Sequence, residues 1–352
     1  MKDLKNIDEW KKLFAAAGAF RDAACWRYMD DTDLFAVKDP ASGAIYYCSV
    51  MGRGGQMFGL AAYKGEKGFA GYERILAGAF EETPMDAMYA QDCYMISFED
   101  REMLYKRDIE LIKALGLKFR GRNAWPQFQD YSSGMAPAGI EKAETIRLIT
   151  HILEQAVQIG ERFARGEIKL EGVGAARGKK CLTRALETVD GKPSWKDIWT
   201  ELPRRYVEPA PECVLDDAVA SRLAELKTAV RRRFQRLELG FFFMPARIGP
   251  EGGPQYHPFM CLMVDGGSGA VMGVAFSEGA GKRYSPFYKT IAETLKKAAA
   301  LPDEILVAND EAFEAMKLFA SIIGAKLKKS KNMPGIEAAR ESFEEFMTNK
   351  RR

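Results

Sequence analysis

Histidine is nearly absent from this chain. Only His151 and His257 occur in 352 residues, so zinc sites and catalytic triads that draw on several imidazoles find little support. The six cysteines, at positions 25, 48, 93, 181, 213 and 261, are far apart and include no Cys-x-x-Cys pair. Three of them fall inside apparent strands, which reads as buried thiols and excludes a disulfide framework or a metal cage as the organising feature. No apolar run approaches the length of a membrane span, and the opening stretch from Met1 to Trp10 carries charges where a secretory signal needs an apolar core. The expectation is a cytoplasmic protein with no membrane partner. Charge of one sign is lacking too: 52 basic and 49 acidic residues leave +3, so the whole-molecule field gives little reason to expect nucleic acid. What remains is ordinary for a globular protein, 47% hydrophobic and 29% charged, in a chain long enough for two or three cores.

The stretch from Pro258 to Glu345 reads as a complete small α/β unit. Two apolar runs, Phe259 to Val264 and Val271 to Ser277, flank Asp265 to Gly269, whose glycines suit a tight hairpin. Phe287, Ile291 and Leu295 then recur every four positions, on one helical face. Glu304 to Ala308 is short, apolar and β-branched, as a buried strand is. A second helix starts near Asp310, carries Phe313, Met316, Phe319, Ala320 and Ile323 as its apolar stripe, and stops at Gly324. Ala325 to Lys329 fits a polar edge strand and Gly335 to Met347 a closing helix.

In the first half, residues 7 to 24 have helical spacing. Asp33 to Val37, Ile45 to Met51 and Met57 to Tyr63 read as a strand meander. A helix over 66 to 78, a strand over Cys93 to Phe98, a helix over Asp100 to Leu115 and a strand over Leu117 to Arg122 follow. Met57 to Ala61 matches Val271 to Ala275 letter by near letter, and Asp100 and Asp310 both open the second helix, so an internal duplication is expected. Between the halves, Glu141 to Ala164 is a long helix, residues 166 to 213 read as a linker or loose subdomain with Trp195 and Trp199 on a short helix, and Asp216 to Phe234 returns to helix. The expected fold is α+β: two related lobes, each a hairpin or meander followed by alternating helices and strands, bridged by a helical segment. The boundaries are 1–137 for the first lobe, 138–235 for the bridge and 236–352 for the second lobe.

Three patterns bear on chemistry. Gly172 to Lys180 is Gly-rich and basic, but its glycine intervals and Lys180 in place of a hydroxyl do not meet the P-loop spacing. Arg231, Arg232, Arg233 and Arg236, and Lys326, Lys328, Lys329 and Lys331, are basic clusters. Their helix-end and sheet-edge placements explain them without a phosphate backbone, so nucleic acid is a secondary expectation. Arg120, Arg122, Asn123 and Trp125 combine forked cations, an amide and an aromatic wall beside a strand end, which marks them as the ligand-binding candidates for an unidentified protein or small ligand. No cofactor is expected.

The order hairpin, helix, strand, helix, strand, helix resembles the ribonuclease H-like fold of integrase and transposase cores over about the last 90 residues. That resemblance implies a carboxylate triad holding magnesium ions, with Asp265, Asp310 and Glu345 as the positions that carry it over. It is the alternative to a non-catalytic binding or protein-interaction module, since Asp265 sits in a turn where the family places an acid within the strand. Asp33 to Gly43, Tyr47 to Gly52, Ser97 to Arg101 and Gly116 to Pro126 together resemble a bacterial family of uncharacterised proteins with a second uncharacterised domain at the C-terminus. This second resemblance covers both lobes and implies no activity, cofactor or catalytic residue.

Overall fold

The computed structural model describes residues 5–79, 84–132, 134–170, 180–203, 215–244, 246–250, 255–277 and 283–349, with the side chains of 84, 85 and 344–349 left aside. The chain divides into two units, Met1–Val207 and Glu208–Arg352, and both mix helices with a sheet, so the fold is α+β.

In the first unit, α1 (Ile7–Ala23) buries Trp10, Leu13, Phe14, Ala17 and Phe20 along one face, with Asp8 and Glu9 in the first turn, where the helix dipole favours acids. Then come β1 (Phe35–Lys38), β2 (Ile45–Met51), β3 (Gly59–Lys64), α2 (Gly65–Leu76), α3 (Pro84–Ala90), β4 (Cys93–Glu99), α4 (Lys106–Ala114), β5 (Trp125–Tyr131), β6 (Ala138–Gly139), α5 (Ala143–Ala164), β7 (Lys180–Val189) and β8 (Lys192–Glu201). The strands make one eight-stranded sheet, ordered β6-β5-β4-β3-β2-β1-β7-β8. Because strand side chains alternate faces, Phe35, Val37, Cys48, Val50, Ile96, Phe98 and Phe128 meet α1 and α5, while Ala36, Tyr47, Ala61, Tyr63 and Met95 pack with Phe69 and Tyr72 of α2 on the other side.

The second unit comprises α6 (Asp217–Ala229), β9 (Arg233–Phe243), β10 (Phe259–Asp265), β11 (Val271–Ser277), α7 (Ser285–Ala298), β12 (Leu301–Val307), α8 (Asp310–Ile323), β13 (Lys326–Lys329) and α9 (Pro334–Asn349). Its sheet is ordered β11-β10-β9-β12-β13. β9, β10 and β11 are antiparallel neighbours, whereas β12 runs parallel to β9 and β13 parallel to β12. Phe241 and Phe259 pack on Phe287 of α7, and the opposite face carries Met260, Leu262, Val264 and Leu306 against Ile336 of α9. Gly240 lies beneath that helix: a Cβ there would stand 2.7 Å from Ile336 Cγ2, so the close approach of α9 depends on glycine. Asn309, rather than Asp310, caps α8 by accepting the Ala312 N–H at 2.9 Å.

Several expectations need correction. The helix over Asp100 to Leu115 is broken: a 3-10 turn, Arg101–Met103, is separated from α4 by Leu104 and Tyr105 in extended conformation, with Leu104 drawn into the core. The strand over Leu117 to Arg122 does not form, because Gly121 and Asn123 take positive φ of 99° and 50°; the strand begins at Trp125. α6 ends at Ala229, and Arg233 and Phe234 already belong to β9. Residues 180–201 are a hairpin of the first sheet, so Trp195 and Trp199 stand on β8 and not on a helix, and the chain divides at 207 within the segment expected as a bridge. Of the letter matches behind the duplication, Met57 to Ala61 runs into β3 and Val271 to Ala275 lies on β11, each the third strand of its meander, whereas Asp100 and Asp310 do not correspond in space. Both sheets share a meander with a parallel strand beside its first member, but in the first unit that strand is β7, whereas Asp100 follows β4, an antiparallel neighbour of β3. Gly172 to Lys179 of the Gly-rich loop lie outside the described residues.

Candidate functional site

Residues on either side of Trp125 and residues that follow β4 meet because β4 and β5 are antiparallel and their last pair is Glu99 with Trp125. The chain leaving β4 at Asp100 therefore lies beside the chain entering β5 at Ala124. Asp100 closes this junction. Its Oδ1 accepts the Asn123 N–H at 2.8 Å, and Oδ2 lies 3.8 Å from Arg122 Nε. From the other side, Arg21 of α1 donates to the Ala124 carbonyl at 3.5 Å. Trp125 is half-buried; its ring lies 5.8 Å from that of Phe119, which stacks on Phe14 of α1. The loop is thus held at a backbone bond and at an aromatic wedge reaching the core.

What it encloses is an open cavity of about 510 Å³ lined by Asp100, Arg101, Glu102, Arg120, Gly121, Arg122 and Trp125. Three of the four residues singled out as ligand-binding candidates, Arg120, Arg122 and Trp125, line it. Asn123 contributes its backbone N–H to the wall and is not in the lining. The sequence reading missed Arg101 and Glu102, because a continuous helix from Asp100 would have turned them away from the strand end. Arg101 Cζ stands 5.8 Å from the Trp125 ring centroid, within cation–π range. The guanidinium groups of Arg101 and Arg120 make no ion pair among the described residues.

Among the described residues, Asp265 and Asp310 of the alternative reading join no group that could hold a metal ion. Asp265 accepts the Gly267 N–H at 2.9 Å and the Ser268 hydroxyl at 2.8 Å, within its own turn, and these bonds hold its pKa below the usual carboxylate range. Asp310 pairs with Lys329. Asp265 is in register with Leu237 of β9, which is in register with Ile305 of β12, so two strand spacings, roughly 10 Å, separate Asp265 from β12. Asp310 lies beyond the C-terminal end of that strand, three residues past Val307. Glu345 belongs to α9, and its side chain is outside the described residues. Among the described residues no group of three His, Cys, Asp or Glu could hold a metal ion.

One acid escaped notice in the sequence. Glu238 lies within β9 and is fully buried; Oε2 accepts the Ile336 N–H at the start of α9 at 3.1 Å. Its signal was a single Glu in the apolar run from Leu237 to Met244. Elsewhere the candidate groups have structural duties. Arg233 bonds Asp303 and the carbonyls of Pro302 and Gly324, and Lys328 pairs with Glu304. His257 is buried and donates from Nδ1 to the Met244 carbonyl. Cys25, Cys48, Cys93, Cys181 and Cys261 are reduced and buried; burial pushes the thiols of Cys25, Cys48, Cys93 and Cys261 up, away from thiolate chemistry. Cys213 lies outside the described residues. No described helix is long and apolar enough to cross a membrane.

Two family models match the chain. Residues 10–184 match a domain of unknown function (DUF7309) and residues 222–344 a second domain of unknown function (DUF6930). No curated protein and no solved structure matches it. The first match holds the candidate cavity and the second holds Asp265 and Asp310. The chain accordingly belongs to an uncharacterised two-domain family in which a DUF7309 domain precedes a DUF6930 domain.

Proposed function

We propose that the protein is a non-catalytic binding module whose ligand, a small molecule or a segment of a partner protein, seats in the cavity beside Trp125. The observation that carries this reading is the cavity itself: about 510 Å³, with Arg101, Arg120, Arg122 and Trp125 in its lining. That volume lies in the range of small-molecule sites, and an aromatic wall with a few convergent polar groups is their usual chemistry. The wall is braced by the Asp100 bond to the Asn123 backbone and by the Phe119 contact, so little ordering is left for the ligand to impose. Among the described residues no metal-ligand cluster accompanies the arginines, and Asp100 is engaged within its own wall, which favours binding over turnover. The magnesium-dependent alternative has no comparable support, since Asp265 and Asp310 each serve a local bond. Reduced, buried cysteines fit a cytoplasmic setting.

The test is a ligand screen by thermal shift on the wild type and on Arg120→Ala and Arg122→Ala, both exposed positions whose truncation leaves the core untouched. Hits that stabilise the wild type and lose their effect in either variant support the reading. Hits that are indifferent to both variants would remove the cavity from consideration.

A further inference from the structure

We infer that the group this cavity takes is an oxyanion, a phosphate or carboxylate borne by a small molecule, gripped by Arg120 and Arg101 with Arg122 beside them. The inference rests on the binding reading above and adds the chemical class. Three guanidinium groups and two carboxylates line the cavity, but the carboxylates are not equivalent. Asp100 is engaged within its own wall, by the Asn123 N–H and by Arg122. Arg101 and Arg120 make no ion pair among the described residues, so two forks remain unneutralised in one concavity. A guanidinium presents paired N–H donors matched to the oxygens of a carboxylate or phosphate. Arg101 also rests over the Trp125 ring, which restrains a long side chain and reduces the entropy lost when it closes on a ligand. A cationic ligand would have to displace both forks. A neutral one would leave them without counter-charge.

Glu102 opposes the anion and so supplies the sign of the test. It lines the same cavity and makes no ion pair among the described residues. Removing its charge through Glu102→Gln should tighten an anion and weaken a cation.

The experiment follows the indole N–H of Trp125 by NMR, assigned with Trp125→Phe, while inorganic phosphate or acetate is titrated at constant ionic strength. A local signal is needed because phosphate raises the thermal midpoint of many proteins by exclusion from their surfaces. The expected result is a saturable shift with phosphate, acetate or both, the stronger arm telling phosphate from carboxylate. Arg120→Ala should weaken it by about ten-fold or more, and Glu102→Gln should tighten it roughly two- to five-fold. Absence of a saturable shift up to about 100 mM, far above a millimolar Kd, would overturn the inference. So would a shift indifferent to Arg120→Ala or weakened by Glu102→Gln. If screened ligands still depend on Arg120 and Arg122 when both anions fail, the cavity stands and the anion assignment falls; if neither binds, both readings fall.

Discussion

Arg184 offers the sharpest test of what holds the first unit together, because the hairpin β7–β8 meets α5 through a polar knot. The Arg184 side chain is 8% exposed, and Nη1 lies 2.5 Å from Asp197 Oδ1 on β8. Its Nε donates to Gln155 at 2.9 Å and Nη2 to Gln158 at 3.1 Å, both on α5. Truncation by Arg184→Ala leaves the buried Gln155 carbonyl without its donor, which costs about 1–3 kcal/mol. Breaking a buried ion pair costs about 3–5 kcal/mol in general, but Asp197 keeps Arg162 at 2.6 Å and is partly solvated, so this share falls below that range. The two losses together come to about 3 kcal/mol. Asp197→Ala should cost less, since Arg184 keeps both glutamines. Urea unfolding combined with amide hydrogen exchange reads the effect where it arises: faster exchange across residues 180–201 and α5, with the second unit unchanged. The Asp197 carboxyl is held below its usual range, first by the Arg162 hydrogen bond. A depressed carboxylate contributes stability that is full above its unfolded pKa, near 4, and is lost as pH falls toward the lower folded value. The wild type should therefore lose its advantage over Asp197→Ala below about pH 4. A midpoint and exchange pattern unchanged within about 0.5 kcal/mol in Arg184→Ala would refute the reasoning.

Burial depresses the pKa of His257, so its neutral form is favoured in the folded state. It contributes stability that is full above about pH 6.5 and lost as pH falls toward the folded value; stability measured from pH 7.5 to 5 should decline more in the wild type than in His257→Gln. Thiol titration of the native protein should leave Cys25, Cys48, Cys93, Cys181 and Cys261 unreactive until denaturant is added, and fast labelling of any of them, located by mass spectrometry, would contradict their burial. Gly240→Val should destabilise by about 1–3 kcal/mol and loosen α9, visible as faster exchange in that helix, because the new side chain meets Ile336. Phe276→Lys, at a 56% exposed site on the edge strand β11, should slow aggregation on heating while leaving the unfolding midpoint within about 0.5 kcal/mol.

Periodicity carried most of the element order, and local backbone conformation explains most of what it lost. Phe287, Ile291 and Leu295 are buried on α7 as their spacing required, and β2 and β11 have the expected bounds. The hairpin at 180–201 was missed although Asp190-Gly191 is a strong turn signal; both residues take positive φ, 50° and 74°, as the favoured two-residue hairpin turn demands. Its strands lack clean alternation because Arg184 and Thr183 are buried polar residues, and polar satisfaction across to α5 cannot be seen along one chain segment. Lys118, Arg120 and Arg122 alternate with Phe119 and Gly121, which imitates a strand. Gly121 and Asn123 break that pattern by leaving the extended region, and the same break aims the arginines into the cavity. The candidate site was legible through its residue types, whereas Arg101 and Glu102 became visible only through the register of β4 with β5.

The resemblance of the second unit to ribonuclease H-like cores is one of element order, and its acids show why order alone does not carry chemistry. A two-ion site needs carboxylates that keep their oxygens turned toward a shared space. Here each described acid in question has at least one oxygen turned to a neighbour in its own fold, although Oε1 of Glu238 is buried without a hydrogen-bond partner among the described residues. Asp265 gathers the N–H of Gly267 and the hydroxyl of Ser268, which fixes the β10–β11 turn. Asp310 faces Lys329 of the edge strand. Glu238 lies within the strand that opens the sheet, the kind of place where the family sets an acid, yet its Oε2 receives the first amide of α9 that follows Gly335. The glycines around it leave little room: a Cβ at Gly335 or Gly266 would stand 3.0 or 2.9 Å from its carboxylate oxygens. A carboxylate buried there satisfies the helix dipole and fixes α9 against β9 and β10. Glu238→Gln would keep the shape but weaken the charge-assisted bond, so it should loosen the start of α9. An acid that waited for a metal would show the opposite, a gain in stability on losing its charge. The sign of that single change, read by hydrogen exchange at Ile336, separates an acid kept for the fold from one kept for an ion.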